Sequence, residues 1–391
     1  MKFISFSLMP YRPLDFEEAR KHRSAWVVLP NSLYDPELGA AEYESYLDLL
    51  TYGEELGFDG IAVNEHHQTA YGLMPAPNLI ASALIQRTER VKIAVLGRAL
   101  PLVGNPLYIA EELAMLDNMS RGRIIAGFVR GIGAEYHASG VNPAFSHSRF
   151  HEAHDLIIKA WTEPGPFAWE GDHYDHTYVN TWPRVYQQPH PPIWIPSQGS
   201  IETIEWAAAP ERRYPFLVTF SPAEAVARNL NAYRDQAMAF GYEPAPEQCG
   251  WAAPVYIADT EEQAIEEARA GIETLFNDYL TLPTQMLLPP GYTSIESVKR
   301  MMGLRKGIGM ANQTIEQLVE LGTALVGTAD TVRARIEQMQ SEAGLGVFVA
   351  MLQFGTLDDT SARRNMERFA ADVIPSFEFQ RRNFVGLPPE R

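Results

Sequence analysis

The chain has 391 residues, 46% of them hydrophobic, a net charge of −17 and a single cysteine, Cys249. The acidic balance, with no Lys/Arg-rich run, excludes a nucleic-acid binder. One cysteine excludes an intrachain disulfide or a cysteine metal site and suits a reducing, cytoplasmic setting. No stretch of about 18 apolar residues occurs, so no membrane span is expected.

In chain order, "FISFSL" (3–8) reads as a first strand; its apolar run is short and lacks a small-residue cleavage site, unlike a signal peptide. "AAEYESYLDLLTYGEELG" (40–57) has apolar residues at helical spacing and ends at Gly57. "FDGIAVN" (58–64) is a strand, 78–88 a helix and "VKIAVLGRA" (91–99) a third strand. Asn105 and Pro106 open a helix over 105–120 as N-cap and first-turn residue. "GRIIAGFV" (122–129) is the fourth strand, and 148–161 is a helix with Ser148 as its expected cap. An irregular insertion at 162–191 holds a hairpin around "GDHYDHTYV". Strands at 192–196, 216–220, 251–258 and 346–354 follow, with helices at 200–209, 222–240, 260–279, 328–343 and 358–378. A second irregular segment spans 281–313.

Eight strands, each followed by a helix, favour a closed (β/α)8 TIM barrel over an open doubly wound sheet, with residues 1–391 as one domain. In such barrels the chemistry sits at the strand C-termini. Glu65, His66 and His67 stand at the end of the second strand. Neighbouring strand residues point to opposite faces, so the two histidines do not share a metal, and no H-x-H or H-E-x-x-H pattern occurs. One of them is expected to face the barrel mouth as a base near neutral pH. The cluster "GDHYDH" (171–176) lies in the insertion and is not read as a metal site. His147, His151 and His154, at spacings of four and three, are read as a polar helix face.

"FVRGIGAEY" (128–136) fails the dinucleotide pattern, since Tyr136 stands where the third glycine belongs, and it has no P-loop Gly-Lys. It leaves Arg130 at a strand end before a glycine turn, a place that suits an anion. Ser148 and Arg149 open one helix; Gly199 and Ser200, with Thr203 one turn on, open another. Helix N-termini attract anions, and two such ends beside Arg130 suggest a phosphate-bearing cofactor.

The stretches "GFDGIAVNEHH", "NPLYIAEELAMLDNMSRGRIIAGFVRG", "SRFHEAHDLIIKAW", "PIWIPSQGSIETIEWAA" and "VGTADTVRARI" together resemble the bacterial luciferase-like flavin-dependent monooxygenases, especially the luciferase α-subunit type. The resemblance is close over about 1–210 and looser beyond. It implies an α/β barrel that binds reduced FMN (FMNH2) from a separate flavin reductase. With O2 it would form a flavin hydroperoxide or peroxide that oxidises a small hydrophobic substrate such as an aldehyde or ketone. It implies His66 as the catalytic histidine, tuned by His67 and Glu65. It implies Arg130, Ser200, Thr203 and Arg149 at the phosphate. It also implies Asn64, Gly97, Arg98, Val129 and Gly199 beside the cofactor, with a non-proline cis peptide at Gly97–Arg98. A homodimer through the helices at 78–88 and 105–120 and an apolar lid at 281–313 complete the expectation. Val129 replaces a family cysteine, Gly199 an acid and Arg98 a small residue, departures that argue against light emission. A deazaflavin-dependent hydride transfer without O2 and a non-catalytic flavin-binding protein are the alternatives.

Overall fold

Eight parallel strands close on themselves in the computed structural model, which describes residues 1–295 and 313–377. Strands β1 (Lys2–Phe6), β2 (Gly60–Val63), β3 (Lys92–Ala99) and β4 (Ile124–Val129) precede a hairpin, β5 (Phe167–Glu170) and β6 (Asp175–Val179). Then come β7 (Ile193–Ser197), β8 (Phe216–Thr219), β9 (Cys249–Ile257), β10 (Leu325–Gly327) and β11 (Val347–Met351). The barrel runs β1-β2-β3-β4-β7-β8-β9-β11 and returns to β1, with Lys2 opposite Val347 at the seam. These eight are the strands expected from the sequence. Strand β10 had not been expected; it pairs with β9 outside the ring. The hairpin turns at 171–174, inside the stretch expected to form one.

Helices α1 (Phe16–Ala19), α2 (Pro36–Glu55), α3 (Pro77–Arg87), α4 (Pro106–Ser120), α5 (Gly133–Ser139) and α6 (Ser146–Thr162) lie in the first half. Helices α7 (Ile201–Ala208), α8 (Ala223–Ala239), α9 (Glu261–Thr274), α10 (Thr284–Leu287), α11 (Ile315–Glu320), α12 (Ala329–Ala343) and α13 (Asp359–Arg368) follow. Several start where the sequence supplies a cap: Asp35 and Asn105 accept first-turn N–H groups ahead of Pro36 and Pro106. Helix α6 starts at Ser146, two residues before the expected cap, and Ser148 instead donates to the Phe145 carbonyl at 3.2 Å. Helix α9 ends at Thr274 and widens into a π-turn over Leu275–Tyr279. Helices α1, α5, α10 and α11 had not been expected. Residues 296–312 of the second irregular segment, and residue 378 of the last expected helix, lie outside the described residues.

Strand side chains alternate between two buried environments, because helices cover one face and the barrel interior fills the other. Phe3 meets Phe348, Phe369 and Phe377 on the helix side. Phe6, Ile195, Leu217, Ala252 and Val349 face the interior cavity. Burying one such phenylalanine contributes about 2–3 kcal/mol. At the outer seam Arg12 ties Glu42 of α2 to Asp359 of α13, at 2.6 Å to each.

One local constraint shapes the barrel mouth. The register of β3 against β4 shifts between Val95 and Arg98, and the Leu96–Gly97 peptide is cis. The cis bond thus lies one peptide before the expected Gly97–Arg98, because the shift begins inside the strand rather than in the turn after it. Here two backbones touch without side chains. A Cβ on Gly127 would sit 2.3 Å from the Val95 carbonyl oxygen, and one on Gly97 would sit 2.7 Å from Gly127. Gly127→Ala is expected to lower stability by about 3 kcal/mol, an overpacking cost with no flexible neighbour to yield. Urea unfolding checks this; an unchanged midpoint would contradict the backbone contact.

Candidate active site

All eight barrel strands run parallel, so their C-termini share one end. There residues of β3 and those after β2, β4, β7 and β8 line a cavity of about 230 Å³. Its inner wall is apolar: Phe6, Leu96, Phe128, Ile195, Leu217 and Val349. Its cover comes from Leu280 and from Leu287, Leu288 and Tyr292, the last three in the described part of the segment expected to form an apolar lid. The cover is fastened rather than resting. Gly133 leaves no room for a Cβ beside the Met286 and Leu287 carbonyls, and the Tyr292 hydroxyl donates to the Gly131 carbonyl at 2.5 Å.

His66 sits at the cavity edge, packed against the rings of Trp26 and Tyr71, with the three ring centroids 5.0 Å from one another. Its Nδ1 lies 3.1 Å from Oε1 of Glu135, a side chain only 1% exposed. The same carboxylate accepts the backbone N–H of His67 at 3.2 Å and that of Ile132 at 2.9 Å. A carboxylate cannot donate, so Nδ1 carries the proton. Nε2 makes no hydrogen bond among the described residues and is the nitrogen left for the cavity.

Glu65 and His67 form a separate pair. His67 Nε2 is 3.1 Å from Glu65 Oε1, and Arg98 Nε is 2.5 Å from Glu65 Oε2, too far out of line for a hydrogen bond. Arg98 also reaches Glu112 at 2.7 Å. Burial works against the charge of Glu65, yet the hydrogen bond to His67 and the nearby Arg98 cation hold its carboxyl below the usual range. The hydrogen bond to Glu65 raises His67 in turn.

The other end of the cavity is polar. Arg130, at the end of β4, donates from Nη1 to Ser146 Oγ at 3.2 Å and to the Tyr292 carbonyl at 2.9 Å, with its guanidinium 4.5 Å over the Tyr292 ring. Ser200 caps α7, and its Oγ lies 2.6 Å from Thr203 Oγ1. Gly199 just before it has φ +93, and a Cβ there would strike the Asn229 side chain at 2.0 Å. That close approach gives a physical reason for glycine at this position.

Of the expected site residues, Asn64, Glu65, His66, Gly97, Val129, Arg130, Ser200 and Thr203 line the cavity together. His67, Arg98 and Gly199 stand behind it. Arg149 departs furthest from expectation: it donates to the Pro101 and Val103 carbonyls at 2.9 and 3.0 Å and lies 4.9 Å from the Tyr174 ring. It fixes the loop after β3 and does not reach the cavity wall. The orientation of His66 comes from Glu135, not from the expected His67 and Glu65. The expected polar face of α6 is also overturned. His147 and His151 line the cavity, and His154 is buried between Asp155 and Tyr214, at 2.8 and 2.9 Å. Glu135 was the main residue missed. Its signal, an acid three residues into a helix after a glycine turn, was present in "GIGAEY". Among the described residues no group of three or more His, Cys, Asp and Glu could hold a metal, and no helix is long and apolar enough to cross a membrane.

The Glu65–His67 pair sets a stability window. Glu65 is held below 4.5, so its contribution is present above that value and is lost as pH falls through its lowered one. His67 is raised above 6.5, so its contribution is present below that value and is lost as pH rises through its raised one. Thermal melts should therefore show this pair stabilising most between about pH 4.5 and 6.5. His67→Gln should flatten the decline on the alkaline side. An identical decline in both proteins would remove His67 from the account.

Comparison with known proteins places this geometry. The model of the luciferase-like monooxygenases matches residues 23–345. Limonene 1,2-monooxygenase of Rhodococcus erythropolis is 26% identical over 344 residues, covering 85% of this chain and 80% of that protein. The solved structure of the monooxygenase RslO1 from Streptomyces bottropensis is 27% identical, with a TM-score of 0.72 over 96% of this chain and 100% of that one. The oxygenating constituent of 3,6-diketocamphane monooxygenase from Pseudomonas putida, solved with FMN, shares the fold at 19% identity. Its TM-score is 0.71, over 96% of this chain and 98% of that one. With most of its length matched and its barrel shared, the chain belongs to the luciferase-like monooxygenase family, the flavin-dependent monooxygenases that its motifs resemble.

Proposed function

We propose that the protein is an FMNH2-dependent, two-component monooxygenase. It takes reduced cofactor from a separate flavin reductase and uses O2 to oxidise a small hydrophobic molecule such as an aldehyde or ketone. The observation that carries this reading is a single cavity with two unlike ends: an anion seat at Arg130, Ser200 and Thr203, and an apolar chamber edged by His66.

The residues suit a flavin mononucleotide. Nε and Nη2 of Arg130 make no hydrogen bond among the described residues, which leaves two donors for a phosphate beside the first turn of α7. Asn64 Oδ1 is buried in the wall without a partner among the described residues, an acceptor for a ring N–H. Gly97 reaches the cavity wall as backbone, its Cβ direction being closed by Gly127 of β4.

When bound, reduced FMN would supply the electrons for oxygen chemistry. The chain's own residues supply the rest. Glu135 holds Nδ1 of His66, so Nε2 can take or return a proton at the cavity edge. Leu280, Leu287, Leu288 and Tyr292 cover the chamber and exclude water. Their apolar character favours a hydrophobic substrate.

His66→Ala should lower product formation by about 100-fold or more, within the usual range for general acid–base groups, and should keep FMN affinity within about threefold. Glu135→Gln should lower kcat about tenfold at nearly constant KM, because a neutral amide with one acceptor oxygen replaces the charged carboxylate that serves His66, His67 and Ile132. Oxygen uptake with supplied FMNH2 and titration of FMN against the deazaflavin F420 provide the readouts. Normal turnover in His66→Ala, or tight F420 binding without FMN binding, would sink this reading.

A homodimer belongs to the same proposal. Leu79 of α3 and Tyr108, Met115 and Met119 of α4 leave large apolar surface exposed. Light scattering should report a dimer, and Tyr108→Glu combined with Met115→Glu should yield monomers. A monomeric parent protein would rule the dimer out.

A further inference from the structure

The first turns of α6 bring two histidines to the cavity beside the anion seat. The rings of His147 and His151 lie 6.2 Å apart, and Trp206 of α7 stacks on His151 at 5.3 Å with an interplanar angle of 5°. Both share the cavity with Arg130, Ser200 and Thr203. Neither imidazole makes a hydrogen bond among the described residues, and the buried indole Nε1 of Trp206 also has no partner there. This contrasts with His154 one turn on, which Asp155 and Tyr214 occupy fully.

The surroundings keep both rings neutral. Burial and then the Arg130 cation pull His147 down to about 4, against a smaller opposing effect of Glu202 from α7. Burial and then Arg212 pull His151 down to about 4, against Asp155, with His154 and Arg130 adding to the fall. A phosphate reverses that balance. A phosphate monoester carries about −1.5 to −2 charges at pH 7, and an adjacent anion favours the imidazolium. Mutual repulsion between the two rings limits the gain to one proton for the pair.

We propose that His147 and His151 complete the seat for the cofactor phosphate, and that filling the seat draws about one proton from solvent onto this pair. The inference rests on the FMN reading above and adds to it two binding residues and a proton linkage. The complex holds more protons than the unliganded protein, so affinity rises as pH falls through the window between bound and free values.

The test is isothermal titration calorimetry with oxidised FMN at pH 7, in two buffers of different ionisation enthalpy, with riboflavin in parallel. FMN is expected to bind with uptake of about 0.5–1 proton and to tighten by up to about tenfold per pH unit between pH 7.5 and 6. Riboflavin, which lacks the phosphate, is expected to show neither effect. The phosphate's own second ionisation releases protons on binding, the opposite sign, and cannot mimic the uptake. The double variant His147→Gln/His151→Gln should abolish the uptake and flatten the pH dependence. Retained riboflavin binding in that variant reports an intact cavity. FMN binding without uptake, or uptake unchanged in the double variant, overturns the proposal and leaves the FMN reading standing. FMN bound no tighter than riboflavin overturns both.

Discussion

A buried carboxylate joins the two halves of this site. Glu135 accepts from the imidazole of His66, the backbone of His67 and the backbone of Ile132. Those donors come from the exits of β2 and β4, which are not neighbours in the ring; β3 lies between them. Removing such a group would leave several buried donors without partners, a larger loss than any single hydrogen bond. The same residue fixes the tautomer of His66 and the start of α5. Helix α5 in turn is packed against the segment that covers the cavity. The His66 imidazole, the turn and the helix beneath the cover are thus held by one side chain.

The cavity then divides by charge. Its inner wall and cover are apolar, while the Arg130 cation and hydroxyl groups gather between β4, α6 and α7. A ligand with a planar body and an anionic tail meets both ends at once, whereas a purely apolar or purely anionic molecule meets only one. Gly97 of the cavity wall rests directly on the backbone of Gly127. The acidic chain sets one cation, Arg130, among the hydroxyl groups of the cavity wall, which is a local arrangement that net charge does not reveal.

The eight barrel strands were legible in the sequence because each is a run buried on both faces and bounded by turn residues. Strand β10 was not: three residues inside "TALVGTAD" are too short to show a period. Arg130, Ser200 and Thr203 were legible from the anion preference of strand ends and helix starts. Arg149 shared that signal and broke the pattern, because the carbonyls of Pro101 and Val103 come to it from 46 or more positions away. The role of Glu135 was hidden for the same reason, with His66 lying 69 positions before it. His147 and His151 showed their helical spacing, but spacing gives a shared face and not the direction of that face. The cis peptide was expected one residue late because a register shift inside β3 leaves no mark in its composition.

The central claim is that one oxygen atom from O2 enters a small hydrophobic substrate when this protein holds reduced FMN. The most direct measurement supplies FMNH2 anaerobically, adds a panel of aldehydes and ketones, admits 18O2 and reads label in the products by mass spectrometry. The account requires one labelled oxygen atom in a product, formed only with protein, FMNH2 and O2 together. Unlabelled products, or oxidation that proceeds without O2 when F420 replaces FMN, would contradict it.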